Sequence, residues 1–260
     1  NFRNSLVTVQ FILLVGLLSM TIFVYQQMNF ISNKDLGFQK EGVLFFGLSG
    51  GEKYAQLKTQ LAAIPEVEAV GAGDVPGWEM YNQSTYKMKD SELTLSDGTV
   101  VYTSQDALNV LQIDCQTCIE LADKDRVFVI NQTAAEKLAK IQGISPEELV
   151  GKTLISEPEY ENEEFGFGIP YTIAGIIPDF DYFSLKYPSQ SLFLDIVKTP
   201  NYVQSVLLKV DTKNWQKVLN KIEKAYKTVE TETPFAFTFL DDRLQQLYLS
   251  EKRAGLLLSG

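Results

Sequence analysis

From residue 4 to residue 33 the chain carries no Asp, Glu, Lys or Arg, a run of 30 uncharged residues bounded by Arg3 and Lys34. Within it, residues 6–25 read LVTVQFILLVGLLSMTIFVY. At about 1.5 Å rise per residue such a helix crosses a hydrocarbon layer of roughly 30 Å. The sequence therefore predicts a transmembrane helix. A secretory signal peptide competes, with Arg3 as its charged start, but the apolar stretch exceeds the usual length of roughly 7–15 residues and no A-x-A-like cleavage site follows it. At the other end, residues 254–260 (AGLLLSG) turn apolar again. That reads as the start of a second membrane helix, with the 215 residues from Asp35 to Leu249 forming one long loop on one side of the bilayer.

Charge then narrows what this loop does. Of 260 residues, 23 are Lys or Arg, 33 are Asp or Glu and none is His, giving a formal net charge of −10. An acidic chain lacks the cations that release counterions from phosphates, so nucleic acid is excluded as a partner. Without histidine there is no Ser-His-Asp or Cys-His catalysis and no His-bearing zinc site.

The spacing of apolar residues predicts an α+β loop in two parts. Residues 43–48 form an apolar strand. Residues 52–64 follow with Tyr54, Leu57, Leu61 and Ile64 at helical spacing, Pro65 ends that helix, and residues 67–72 are a strand again. The order returns in residues 203–210 (strand), 214–229 (helix, with Trp215, Val218, Ile222, Tyr226 and Val229 on one face) and 235–239, where aromatics alternate as in a half-buried strand. Two such units predict a split βαβ, ferredoxin-like layer over 37–75 plus 201–240. The insertion between them, 76–200, is β-rich, with short runs at 99–103, 127–130, 171–177 and 191–197 and helical stretches at 106–110 and 133–141. Gly73 and Gly77 in GDVPG punctuate the passage into it as a candidate hinge. Residues 240–253 predict a helix with Asp241 as N-cap and Leu244, Leu247 and Tyr248 on one stripe. Paired with the membrane helix extended through Gln26 and Asn29 to residue 36, it makes a two-helix stalk, so the chain divides into 1–36, the split layer, the insertion and 241–260.

Several segments together resemble the extracytoplasmic core of MacB/FtsX-type ABC transporter permeases: Gln26-Gln27-Met28-Asn29-Phe30 and Asp35-Leu36-Gly37-Phe38 after the membrane helix, VFVINQTAA at 127–135, Gly151-Lys152-Thr153, YTIAGIIPDF at 171–180 with Ser184-Leu185, and FLDDRL at 239–244 through Leu247-Tyr248 and Glu251. The resemblance implies a permease in the bacterial inner membrane with a porter-like subdomain and an inserted second subdomain in the periplasm. It implies transport, efflux or mechanotransmission driven by a cytoplasmic ABC ATPase, with a homodimer or related permease, and a periplasmic adaptor, lipoprotein or cell-wall hydrolase, as further partners. The chain has no GxxxxGK[ST], so ATP hydrolysis belongs to a partner chain and this subunit is expected to be non-catalytic, without cofactor. A membrane-anchored sensor whose outer domain binds a small ligand has the same architecture and stands as the alternative.

Few residues suggest chemistry of their own. Cys115 and Cys118 form a CxxC. Without a thioredoxin-like helix opening at the first cysteine the pair reads as a local structural disulfide or two free thiols rather than a redox centre, and without two further ligands it is no zinc site. Glu157, Glu159, Glu161, Glu163 and Glu164 crowd into a solvated hairpin tip that lacks an EF-hand's pattern. Asp179 and Asp181 mark a turn after a buried strand. Trp78, Tyr81, Tyr182, Phe183 and Tyr187 lie in loop-like contexts, where core packing competes with an adhesive surface.

Overall fold

The computed structural model describes residues 2–77, 83–115, 118, 126–183, 190–197 and 205–248, excepting the side chains of 2–5, 27–33 and 212. Trp78, Tyr81, Tyr187 and the expected second membrane helix lie outside the described residues. The chain separates into two units, residues 1–35 with 251–260 and residues 36–250.

In the first unit, α1 (Phe2–Asn33) is one continuous helix. Its Leu6–Gln26 stretch has a mean hydropathy of 2.4 and none of it is buried. An apolar surface on every side suits hydrocarbon rather than a protein core. Length and composition alone define it, and a signal sequence shares both.

The second unit is mixed α+β. Strands β1 (Val43–Gly47) and β2 (Val67–Ala72) flank α2 (Glu52–Ala62), and β9 (Ser205–Val210) and β10 (Phe237–Phe239) flank α5 (Trp215–Val229). They form a four-stranded antiparallel sheet in the order β10-β1-β9-β2. The helices pack because their apolar residues recur on one face: Tyr54, Leu57 and Leu61 of α2 and Val218, Leu219 and Ile222 of α5 share a core with Leu44, Phe46, Val70 and Leu208 of the sheet. At an edge of this layer, Glu66 accepts from Lys221 Nζ at 2.6 and 2.7 Å. Near the end of α5, Ser49 and Lys53 both bond Glu230.

Between β2 and β9 the chain builds a closed six-stranded barrel, β3-β4-β8-β5-β7-β6, from β3 (Gln83–Met88), β4 (Thr94–Thr103), β5 (Val127–Asn131), β6 (Thr153–Asn162), β7 (Gly166–Ile177) and β8 (Ser191–Ile196). Most neighbours are antiparallel, but β4 with β8 and β5 with β7 run parallel. Closure is a finding that short-run periodicity does not predict. It works because β3, polar at its start, pairs with both β4 and β6. The interior is solid with aromatics: Tyr86 stacks on Phe193 at 3.7 Å, Phe128 on Tyr171 at 3.9 Å, and a Cβ at Gly98 would lie 2.3 Å from the Tyr86 ring. Helix α4 (Gln132–Gln142) adds Ala134, Ala135, Leu138 and Ala139 to the same core. Its start is capped by Asn131, its end by Gly143 at φ +67°, as αL termini require.

Two boundaries differ from expectation. The last helix begins at residue 240, so Asp241 is a first-turn residue whose carboxylate accepts from Asp242 N rather than an N-cap. The acidic stretch at 157–162 is strand, the far end of β6, with the turn following at 163–165.

Candidate functional site

The passage between sheet and barrel is stitched rather than loose. Gly73 forms a bridge with Thr103 and donates from its N to Ser205 O at 3.1 Å. Asp74 N donates to Tyr102 O at 2.7 Å, and Tyr102 N donates back to Asp74 Oδ2 at 2.9 Å. Helix α3 (Gln105–Val110) lies directly on β2: a Cβ at Gly71 would come within 2.4 Å of Ala107 Cα. Ser104 caps α3 and binds across to Ala72 N at 3.1 Å. Burial pushes the Asp74 carboxyl up despite the Tyr102 N–H, and Tyr182, fully enclosed beside Asp74, is pushed further above its ordinary value by burial. A hinge at Gly73 would have to break these bonds.

A second feature joins the two ends of the body. Residues 36–38, which follow α1 in sequence, meet the segment after β7: Asp181 N donates to Leu36 O at 2.8 Å, Phe38 packs edge-on against Phe180 at 6.2 Å, and Gly37, at φ +80°, faces Phe180 so closely that a Cβ would lie 2.8 Å away. Gln39 N donates to Leu111 O at 2.8 Å. The same segment accepts Gly77 N at Tyr182 O, 2.8 Å. Gly77 in turn, at φ +84°, is covered by Leu244 and Leu247. Leu244, Leu247 and Tyr248, expected on the stripe of a stalk, are only 2 %, 5 % and 6 % exposed and belong to the body's own core. Gln26 is exposed on α1, and the Asn29 side chain is outside the described atoms. Tyr182 and Phe183 are buried and pack against each other edge to face, which removes them from any adhesive surface.

Beside this convergence lies a groove of about 620 Å³ lined by Gly37, Gln112, Ile113, Asp114, Gln132, Glu147 and residues 176–179. In its wall after α3, Cys115 and Cys118 are joined by a local disulfide with a Cα–Cα distance of 5.4 Å that packs against β7. Cys115 Sγ sits 3.8 Å from Ile176 O, and the disulfide lies over Gly175, where a Cβ would meet Cys118 Sγ at 2.6 Å and Cys115 Sγ at 2.7 Å. Gln112 adopts φ +52°, a conformation uncommon for a side-chain-bearing residue. Gly175, Gln112, Asp114, Gln132 and Glu147 escape sequence reasoning. The one available signal is the glycine that interrupts the apolar run YTIAGII.

The other singled-out residues are structural. Asp179 accepts from Asn131 Nδ2 at 2.7 Å, Thr133 N at 2.9 Å and Thr133 Oγ1 at 2.6 Å, fixing the start of α4. Asn131 also donates to Gln190 O and accepts from Leu192 N, so one side chain ties β5, β8 and the Asp179 turn. Among the described residues no three Cys, Asp or Glu side chains converge as metal ligands, the hairpin glutamates included. Inside the barrel Tyr171 Oη donates to Asp195 at 3.0 Å, and burial raises both groups. In comparison with known proteins, the chain matches no protein-family model and no curated protein.

Proposed function

We propose that the chain is the permease subunit of a MacB/FtsX-type ABC transporter, anchored by α1 in the bacterial inner membrane with residues 36–250 in the periplasm. In this reading the four-stranded sheet with α2 and α5 is the porter-like, ferredoxin-like half, the barrel is the inserted half, and the residues after 248 return to the membrane. The subunit is non-catalytic and relays ATP-driven motion from a cytoplasmic ATPase to the outer body, for export or mechanotransmission. It works as a homodimer or beside a related permease, with an adaptor, lipoprotein or cell-wall hydrolase as outer partner.

One observation carries the reading. Residues 36–38 and residues 244–247 reach the body at one place, around Phe180, Tyr182 and Gly77. A body that receives its first segment and sends out its last at a single point suits an anchor of two membrane helices, and a displacement of either segment acts on the β7–β8 connection of the barrel. The resemblance in sequence order is what suggests the family.

The test is to solubilise the tagged full-length protein gently from native membranes and identify the chains that co-purify by mass spectrometry. An ABC ATPase at near-stoichiometric yield is expected. Dimers carrying their own kinase or cyclase module, with no ATPase, would overturn the reading in favour of a sensor.

A further inference from the structure

The groove beside the convergence point has a chemistry that selects its occupant. Its size falls in the range of small-molecule sites, about 300–1,000 Å³, at about 620 Å³. Ile113, Ile176, Ile177 and Pro178 give it an apolar side, of which Ile113 and Ile177 are also buried. Among the described residues, the charged ones in the lining are acidic: Asp114, Glu147 and Asp179. Asp179 already accepts three hydrogen bonds from Asn131 and Thr133. Asp114 and Glu147 are exposed and form no ion pair among the described residues. The amides of Gln112 and Gln132 complete the polar side.

We propose that this groove binds a small amphipathic cation, an apolar body against Ile113 and residues 176–178 with its ammonium group at Asp114 and Glu147. Charge sets the sign of the ligand, because two carboxylates that form no ion pair among the described residues favour a cation and repel an anion. The apolar side sets its form, because a fully hydrated cation gains nothing from isoleucine and proline. Two walls of the groove are positioned by features already described. Gly37 belongs to the segment pinned to Phe180, and Asp114 adjoins the disulfide clamped over Gly175. An occupant therefore touches the segment that follows α1. The site stands independently of the transport reading, since the groove can be filled in a protein with or without an ATPase partner.

The probe is phenylbutylammonium, compared with neutral phenylbutanol and anionic phenylbutyrate. Binding to the full chain in zwitterionic lipid nanodiscs is read by saturation-transfer NMR, with empty nanodiscs subtracting partition into lipid. Saturable binding of the ammonium is expected, weakening as salt rises. Asp114→Asn/Glu147→Gln should lower its affinity about three- to tenfold, the range for two exposed ion contacts, and leave phenylbutanol unaffected. Both substitutions are at exposed positions, and an unchanged unfolding midpoint checks the fold. Equal affinity for all three probes, no saturable binding of the ammonium, or an ammonium affinity untouched by the double variant would overturn the proposal.

Discussion

Gly175 lies directly beneath Cys118, so close that a methyl group on Gly175 would fall 2.6 Å from the Cys118 sulfur and 2.8 Å from its Cα. The disulfide and the glycine are therefore one device. β7 offers a bare backbone at the position where the Cys115–Cys118 ring lies on it. Gly175→Ala should destabilise the body by about 1–3 kcal/mol, as overpacking in a dense interior does. In a Cys115→Ser/Cys118→Ser background the cost should shrink by about 0.5 kcal/mol or more, the coupling expected of residues in contact. Thermal unfolding of the four proteins in nanodiscs completes the cycle. Strict additivity would contradict the contact.

The Asp74 carboxyl, half-buried in the junction and raised by that partial burial, makes a pH prediction. A carboxyl with a raised folded-state pKa binds protons more tightly in the folded protein. Its contribution is fully present below the unfolded value of about 3.9 and is lost as pH rises through the folded value. Asp74→Asn keeps an oxygen for Tyr102 N and removes the half-buried charge. The variant should gain stability relative to wild type at pH 7, and the gain should vanish in acid. A variant equally destabilised at both pH values would show that the charge is irrelevant.

Glu230 behaves in the opposite sense. Hydrogen bonds from Ser49 and from Lys53 at 3.1 Å hold its carboxyl below the ordinary range. That contribution is present above the unfolded value of about 4.3 and disappears as pH falls through the lowered folded value. Glu230→Gln should lower stability at pH 7 and flatten the acid limb of the stability curve, measured by chemical denaturation. An unchanged acid limb would contradict the assignment.

In the barrel, Phe193 is fully buried and stacked on Tyr86. Phe193→Ala should cost about 3–5 kcal/mol, the usual range for deleting a core aromatic. Gly98→Ala pushes a methyl into the same two rings and should also destabilise. Combining Gly98→Ala with Phe193→Leu should cost less than the sum of the two, because the smaller side chain gives the methyl room. Calorimetric unfolding decides it.

The elements with a strong period were legible in the sequence. α1 announces itself by its uncharged run, α2 and α5 by apolar residues at helical spacing, and β5 and β8 by short apolar runs. What escaped belongs to tertiary structure. β3 offers only Tyr86 and Met88 as alternating apolar residues and the far part of β6 is polar, so QSTYKM and the glutamate-rich stretch carry too short a hydrophobic signal to mark a strand. Leu244, Leu247 and Tyr248 form a stripe that fits a stalk and a body-packed helix equally well, and only the position of Gly77 distinguishes the two. The groove was illegible for a related reason. Its walls come from residues 37, 112–114, 132, 147 and 176–179, brought together by the close of the barrel rather than by any spacing along the chain.

In the proposed function, ATP-driven motion reaches the body where its first and last segments converge. Three backbone hydrogen bonds report on that place directly, Asp181 N to Leu36 O, Gly77 N to Tyr182 O and Gln39 N to Leu111 O. The decisive measurement is amide hydrogen exchange in the purified full-length complex during ATP turnover and with ADP alone. The account predicts that exchange at Gln39, Gly77 and Asp181 changes by about tenfold between the two conditions, as local opening energies shift, while amides of the barrel core such as Val129 and Ile130 stay constant. Unchanged exchange at all three positions in a complex that hydrolyses ATP would contradict it.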